Sequence, residues 1–281
     1  MVTLENGRTD GPLDGASLAV RTYGDSGPHV VVIHGGPGAA GYMAPVARQL
    51  SARFRVAEPL QRMTEKTPLT VQRHVDDLHA VIATHCSGES ATLVGHSWGA
   101  MLALAYAAAY PDTVTSVVVI GCGTFDSASR EILEATMEQR MTQSVRARLE
   151  RLSRTVRDPD VRMCAVGRVL ENVYSYDLVP HQDETEYYDA RGHNESWRDM
   201  LRLQRDGYYP AAFSHISVPV LMLHGAHDPH PGRSTYACLQ QVMPQIEYVE
   251  LARCGHYPWW ERHAATVFFD ALREWLSCHA T

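Results

Sequence analysis

The 281-residue sequence has no apolar run long enough to cross a bilayer. Its longest candidates, Val30 to Ile33 and Ala100 to Ala109, fall far short of a span, which excludes a transmembrane helix. Positive charge is also scarce. Lysine occurs once, at Lys66, and 32 acidic residues outnumber 25 basic ones for a net charge of −7. No basic stripe offsets that balance, so neither nucleic acid nor an anionic membrane surface is an expected partner. Cys86, Cys122, Cys164, Cys238, Cys254 and Cys278 are scattered with no C-x-x-C pair, which excludes a disulfide framework. The polar stretch Met1 to Asp14 has no secretory h-region. These absences together predict a cytoplasmic protein with reduced thiols. With 45% apolar and 20% charged residues, the composition is that of an ordinary folded domain.

What is present is a rhythm. Strand-like runs at Ser17–Tyr23, His29–Ile33, Phe54–Ala57, Ala91–Gly95, Val114–Ile120, Val218–Leu223 and Ile246–Leu251 alternate with helical segments. The helices are expected at Tyr42–Leu50, Pro68–His85, Trp98–Ala109, before Pro244, and at His263–Leu276. Several strands are apolar throughout, the mark of burial on both faces. This order predicts an α/β fold with a mostly parallel sheet covered by helices on both faces.

Residues 125–213 break the rhythm. Ile132, Leu133, Met137, Met141, Val145, Leu149 and Leu152 trace one face of a single long helix. A second helix covers Val161–Tyr174 and a third Ser196–Arg205, with Asp177–Gly192 irregular between them. The division is therefore a core of residues 1–124 and 214–281 and an all-helical cap of residues 125–213. The alternative is a set of outer-layer helices with no gating role. Long insertions often serve as active-site lids, which favours the cap.

The chemistry concentrates at strand ends. Gly95-His96-Ser97-Trp98-Gly99 matches G-x-S-x-G between a buried strand and a helix, the context that a nucleophile elbow requires. The helix behind it aims N–H groups and a positive dipole end at Ser97, where negative charge would develop. His34-Gly35-Gly36-Pro37-Gly38 follows another buried strand. The Gly36 and Trp98 N–H groups are candidates for an oxyanion hole. Ser97 needs a base oriented by an acid, and in this architecture the chain order is Ser, acid, His. Asp228 and His256 sit on strand-end loops and complete a candidate triad.

Rival readings attach to the neighbours. His224, His227 and His230 around Asp228 raise a metal site, but their spacing is poor for a regular cluster, and no metal or other cofactor is expected. His96 is expected to pack or line the rim, and His34 to hold nearby backbone. Cys254 lacks an elbow, so it is not the expected nucleophile. Glu261 reads as structural, a candidate cap of the last helix. Trp98, Trp197, Trp259, Trp260, Tyr187, Tyr188, Tyr208 and Tyr209 either line an apolar cleft or pack in the core.

On these residues the chain resembles α/β-hydrolase-fold serine hydrolases, and the His-Gly-Gly-Pro-Gly loop with Ser97-Trp98-Gly99 is similar to the proline iminopeptidase branch. The resemblance extends to Gly255-His256-Tyr257-Pro258-Trp259 and covers nearly the whole chain. It implies an eight-stranded sheet with a helical cap after strand six. It also implies Ser97, Asp228 and His256 as the triad and Gly36 and Trp98 as the oxyanion donors. The chain departs from that branch at Glu58-Pro59-Leu60-Gln61-Arg62-Met63 and at His96, where iminopeptidases carry other residues. Iminopeptidase caps supply carboxylates for the substrate amine. Glu184, Glu186 and Glu195 are available here, though an ordinary solvated acidic surface explains them as well.

The expected activity is hydrolysis of an ester or amide of a small organic substrate through an acyl-enzyme on Ser97. The alternatives are an aminopeptidase for short peptides, carbon–carbon bond cleavage of a natural product, and a non-catalytic ligand-binding protein on the same scaffold. Substrate contacts and oligomeric state are not legible.

Overall fold

The computed structural model describes residues 8–10 and 18–280. The N-terminal stretch read for a secretory signal, and the start of the strand expected from Ser17, lie largely outside these residues. In chain order the elements are β1 (Arg8–Asp10), β2 (Val20–Tyr23), β3 (His29–Ile33), β4 (Ala39–Ala40), α1 (Ala44–Leu50), β5 (Arg55–Pro59), α2 (Val71–His85), β6 (Ala91–His96), α3 (Trp98–Ala109) and β7 (Val114–Ile120). Then come α4 (Ser127–Arg140), α5 (Gln143–Thr155), α6 (Pro159–Tyr174), β8 (Tyr187–Tyr188), α7 (Ala190–Arg205), β9 (Val220–Gly225), α8 (Gly232–Gln240), β10 (Ile246–Leu251) and α9 (Ala265–His279).

The main sheet has the order β1-β2-β5-β3-β6-β7-β9-β10. From β5 to β10 every pair is parallel, while β2 joins β5 and β1 joins β2 antiparallel. Seven strands run from β2 onward, and the eighth is the three-residue β1 at the edge. The fold class is the one the strand–helix rhythm predicted.

Period-two alternation divides the central strands between two cores. Val31, Ile33, Leu93, Val117, Val119 and Met222 face one way, into α2 and α3. Val30, Val32, Val94, Val118, Ile120 and Leu223 face the other, toward α1 and α9. From Trp98 to Ala107 every residue of α3 is buried, which explains why its sequence is apolar all round. The termini of α2 follow ordinary capping chemistry, the Thr70 hydroxyl accepting the Arg73 N–H at 3.2 Å.

The insertion between β7 and β9 departs from its expected outline. The single long helix over Ile132–Leu152 is two. Met141 takes φ −73 and ψ 82 after α4, and the Thr142 hydroxyl caps α5 by accepting the Val145 N–H at 3.3 Å. A capping threonine inside an apolar period breaks the helix without disturbing the period. Apart from Ser129 neither helix buries a residue, and Ile132 is 46% exposed. The stretch read as irregular contains β8, which pairs antiparallel with β4 beyond the glycine loop. The third helix starts earlier than expected, at Ala190, because the Asp189 carboxylate accepts the Gly192 N–H at 2.8 Å.

Carboxylates fasten the insertion to the rest of the chain. Arg48 donates to Glu184 at 2.8 Å, and Arg21 pairs with Glu186 at 2.5 Å. Glu195 accepts the Leu69 N–H and Asp199 the Val71 N–H, each at 2.9 Å, so α7 caps the N-terminus of α2. Glu184 and Glu195 are partly buried against specific donors and so depart from the solvated-surface reading, whereas the Glu186 side chain, though paired with Arg21, is 55% exposed as that reading expects.

Candidate active site

Ser97 stands between β6 and α3 with φ 55 and ψ −117. Such a positive φ costs a non-glycine residue about 1–3 kcal/mol, so the surroundings must enforce it. They do so by close packing. A Cβ on Gly95 would collide with the Gly99 carbonyl, and one on Gly99 with the carbonyls of Ile33 and His34. The Ser97 N–H donates to the Ile120 carbonyl at 2.8 Å, fixing the turn to the next strand. Trp98 is the first residue of α3, so its N–H has no partner within the helix.

Asp228 follows β9 and His256 follows β10. The His256 Nδ1–H donates to Asp228 Oδ2 at 2.7 Å, with both side chains buried. That bond fixes the tautomer and leaves the Nε2 lone pair free to accept a proton. Burial lowers the His256 pKa below its ordinary value, against the opposing pull of Asp228, so the ring is neutral at pH 7. Burial works to raise the Asp228 carboxyl. The charges of His256, His230 and His224 and the His230 hydrogen bond outweigh it and hold the group well below the usual carboxylate range. His230 donates to Asp228 Oδ1 from its backbone N–H at 2.9 Å and its ring Nδ1 at 3.0 Å, and its ring stacks on His256 at 4.7 Å. Among the described residues no side chain hydrogen-bonds the Ser97 hydroxyl. The preceding His96 nevertheless places its ring 4.5 Å from that of His256.

A chain of hydrogen bonds joins the glycine loop, the serine elbow and the His256 loop. The Gly35 N–H donates to the Tyr42 hydroxyl at 2.7 Å, and that hydroxyl lies 2.7 Å from His96 Nδ1. His96 Nε2 meets the His256 carbonyl at 2.8 Å. A carbonyl only accepts, so Nε2 carries the proton and Nδ1 accepts from Tyr42. Burial holds His96 well below its ordinary pKa and keeps it neutral, as this pattern needs. A second lock centres on Gln61. Its N–H donates to His34 Nε2 at 3.0 Å, and its side-chain oxygen accepts the Trp98 indole N–H at 3.0 Å. His34 Nδ1 then donates to the Gly35 carbonyl at 2.8 Å, and burial lowers its pKa to about 4. Gly36 itself has φ +117, a conformation that favours glycine.

The sequence expected His34 to hold nearby backbone and His96 to pack or line the rim; His34 bonds backbone groups, and His96 is buried and packs. The sequence did not single out Tyr42, and Gln61 appeared only within the departing segment Glu58 to Met63. Tyr42 carries no sequence signal, because its partners come from two other loops. Glu261 is structural but does not cap α9 with its side chain. Its buried carboxylate accepts the N–H groups of Gly255 at 2.8 Å, Tyr176 at 2.7 Å and Asp177 at 2.6 Å, tying the histidine loop to the insertion. Of the aromatic set, Trp259 stacks on Tyr42 and Tyr209 on Phe213, so packing claims them. Trp197 meets the Trp98 ring edge-on at 6.1 Å.

Asp228, His230 and His256 present ligand atoms within 4.8 Å of one another, which differs from the His224, His227 and His230 set that the sequence raised. The ring Nδ1 atoms of His230 and His256 both bond Asp228, so an ion there would have to replace those protons.

Residues 28–263 match the family of the alpha/beta hydrolase fold. The chain is 29% identical over 107 residues to a cis-3-alkyl-4-alkyloxetan-2-one decarboxylase of Shewanella oneidensis, covering 35% of this chain and 34% of that one. It is 26% identical over 271 residues to a 2-(acetamidomethylene)succinate hydrolase of Mesorhizobium japonicum, covering 91% and 92% of the two chains. The solved proline iminopeptidase of Mycobacterium smegmatis superposes with a TM-score of 0.62 at 18% identity over 98% of each chain, a likeness of fold. No described helix is long and apolar enough to cross a membrane. With strand order, elbow and family match in agreement, the chain belongs to the α/β-hydrolase fold family and is an enzyme of the hydrolase type.

Proposed function

We propose that this hydrolase cleaves an ester or amide bond of a small organic substrate through an acyl-enzyme on Ser97. The observation that carries the reading is a neutral, buried His256 held at 2.7 Å by Asp228 beside a strained serine elbow. Ser97 Oγ attacks the carbonyl carbon while His256 Nε2 takes its proton. The oxyanion is held by the N–H groups of Gly36 and Trp98. His256 then passes the proton to the leaving oxygen or nitrogen, and the acyl group stays on Ser97. Water attacks next, again with His256 as base, and releases the acid. Residues 125–213 act as the cap over a core of residues 1–124 and 214–281.

The 2-(acetamidomethylene)succinate hydrolase likeness supports a small organic substrate. The aminopeptidase alternative is disfavoured by the occupied carboxylates. Glu184 is engaged by Arg48, Glu186 by Arg21, and Glu195 by Leu69 and Arg191, so none of the three is free for a substrate amine.

The test is labelling with a fluorophosphonate probe and peptide mass spectrometry on wild type, Ser97→Ala and His256→Ala. Modification at Ser97, lost in both variants, is the expected result. A folded wild type that neither labels nor turns over p-nitrophenyl acetate overturns the reading.

A further inference from the structure

One cavity among the described residues lies outside the triad. It encloses about 530 Å³ between the end of α4, the start of α5 and the C-terminal half of α6, within the usual range for small-molecule sites. Arg140, Arg148, Asn172, Ser175 and His227 supply its polar wall, and Val145, Val169 and Val173 its apolar one. In a chain with seven more acidic than basic residues, this lining contains no carboxylate.

The two guanidiniums are uncommitted to acids. Arg140 donates to the Val173 carbonyl at 3.2 Å, and among the described residues neither it nor Arg148 forms an ion pair with a carboxylate. Arg140 is half-buried, and burial works against its charge. The carboxylate that offsets this is Asp228, already engaged by His230 and His256. Neighbouring arginines are paired: Arg146 with Glu138 and Arg154 with Glu150. Thr142 and Ser144, at the N-terminus of the thirteen-residue α5, add hydroxyls and a positive dipole end to the same cavity. Two cations, hydroxyl and amide donors, and three valines suit an anionic head on a short apolar body. Bare inorganic ions would leave the valine wall without a partner.

We propose that this cavity is a binding site for small organic carboxylates. The carboxylate sits between Arg140 and Arg148, and the carbon chain lies against Val145, Val169 and Val173. The site borders the triad without containing it. His227 precedes Asp228, and Val173 and Ser175 flank Tyr174. The Tyr174 carbonyl accepts the His256 N–H at 2.9 Å, and its ring lies 5.3 Å from the His256 ring. The bound carboxylate is either part of the substrate or a separate effector, and kinetics separates the two.

The experiment is calorimetric titration of succinate into wild type, Ser97→Ala, Arg140→Met and Arg148→Met at constant ionic strength, with dimethyl succinate and sodium chloride as controls. Succinate is expected to bind one site saturably in wild type and Ser97→Ala alike, independently of the catalytic reading. Affinity should fall tenfold or more in each arginine variant, and dimethyl succinate should not bind. If Arg140→Met fails to fold, the exposed Arg148→Met still decides the matter. In the kinetic arm, inhibition of p-nitrophenyl acetate turnover that is competitive and lost in Arg148→Met makes the site a substrate subsite, whereas a noncompetitive pattern makes it an effector site. Absence of saturable binding, or equal affinity in wild type and Arg148→Met, overturns the proposal.

Discussion

Replacing Tyr42 by Phe removes one oxygen and nothing else. The ring keeps its stack on Trp259 at 6.3 Å and its edge contact with His96 at 5.6 Å. What is lost is the acceptor for the Gly35 N–H and the donor to His96 Nδ1, both buried. A buried polar group left unmade costs about 1–3 kcal/mol, and here two are stranded at once. Relief from burying the hydroxyl offsets part of this, so the net loss is about 2 kcal/mol or more. In domains of 150–250 residues each kcal/mol moves the melting temperature by about 2–4 °C, which makes the drop at least about 4 °C. Activity should suffer as well. Gly35 lies against Ser97 and precedes the proposed oxyanion donor, so its stranded N–H disturbs the loop that holds the charge. A loss of about tenfold in kcat corresponds to only ~1.4 kcal/mol of misplacement. Thermal melts and p-nitrophenyl ester turnover read both effects. A variant within 0.5 °C of wild type and within twofold in kcat would refute the view that this hydroxyl couples the loops.

Four further outcomes follow from the same geometry. Asp228→Asn should lower kcat by about 10⁴ by presenting His256 in the wrong tautomer, measured by steady-state turnover with folding checked by circular dichroism. Because burial lowers the His256 pKa, activity should rise with pH through an apparent pKa below the ordinary 6.5, and an acid limb centred above 7 contradicts the assignment. Gly99→Ala drives a methyl into two backbone carbonyls and should cost about 3 kcal/mol or prevent folding, and a variant that melts like wild type counts against the tight elbow. Burial raises the Glu58 carboxyl to about 7, despite the opposing charge of Arg21, so between pH 4.5 and 7 the folded state holds a proton that the unfolded state has lost. Stability from this group is present at low pH and falls as pH rises, so the stability of Glu58→Gln relative to wild type should climb from pH 5 to pH 8 in urea titrations, and a flat difference would remove Glu58 as the cause.

The core was legible because its signals are local. β3 is apolar over Val30–Ile33 and β7 over Val117–Ile120, and the elbow demands glycine at two fixed offsets, so period and spacing both survive in the bare sequence. That Asp228 and His256 come together was legible from chain order and strand-end position. The hub at His96, Tyr42 and Gln61 was not, because its bonds join residues up to 160 positions apart and depend on which ring nitrogen carries a proton. The split of the expected long helix was hidden for a different reason. Apolar spacing continues across Met141 and Thr142, and only the cap chemistry of Thr142 reveals the break.

The acidic residues of the insertion show where pattern reading stops. Glu184, Glu186, Asp189, Glu195 and Asp199 look like a solvated surface because hydropathy weighs each side chain alone. A carboxylate that caps a helix in another element has the same hydropathy as one in water. The distinction lies in the partner, and the partners here are spread over the rest of the chain: Arg21 in β2, Arg48 in α1, the Thr64 N–H and hydroxyl, and the N–H groups of Leu69 and Val71 at the start of α2. Each bond is modest on its own, since an exposed ion pair contributes about 1 kcal/mol or less. Their value is geometric. Arg21 also donates to the Gly41 carbonyl at 2.8 Å, just beyond the glycine loop, and the Tyr187 hydroxyl donates to the Gln61 carbonyl, whose side chain holds Trp98. The insertion therefore grips the same segments that shape the serine elbow and the candidate oxyanion loop. Altering its acidic residues should change turnover through those loops even though none of them touches Ser97.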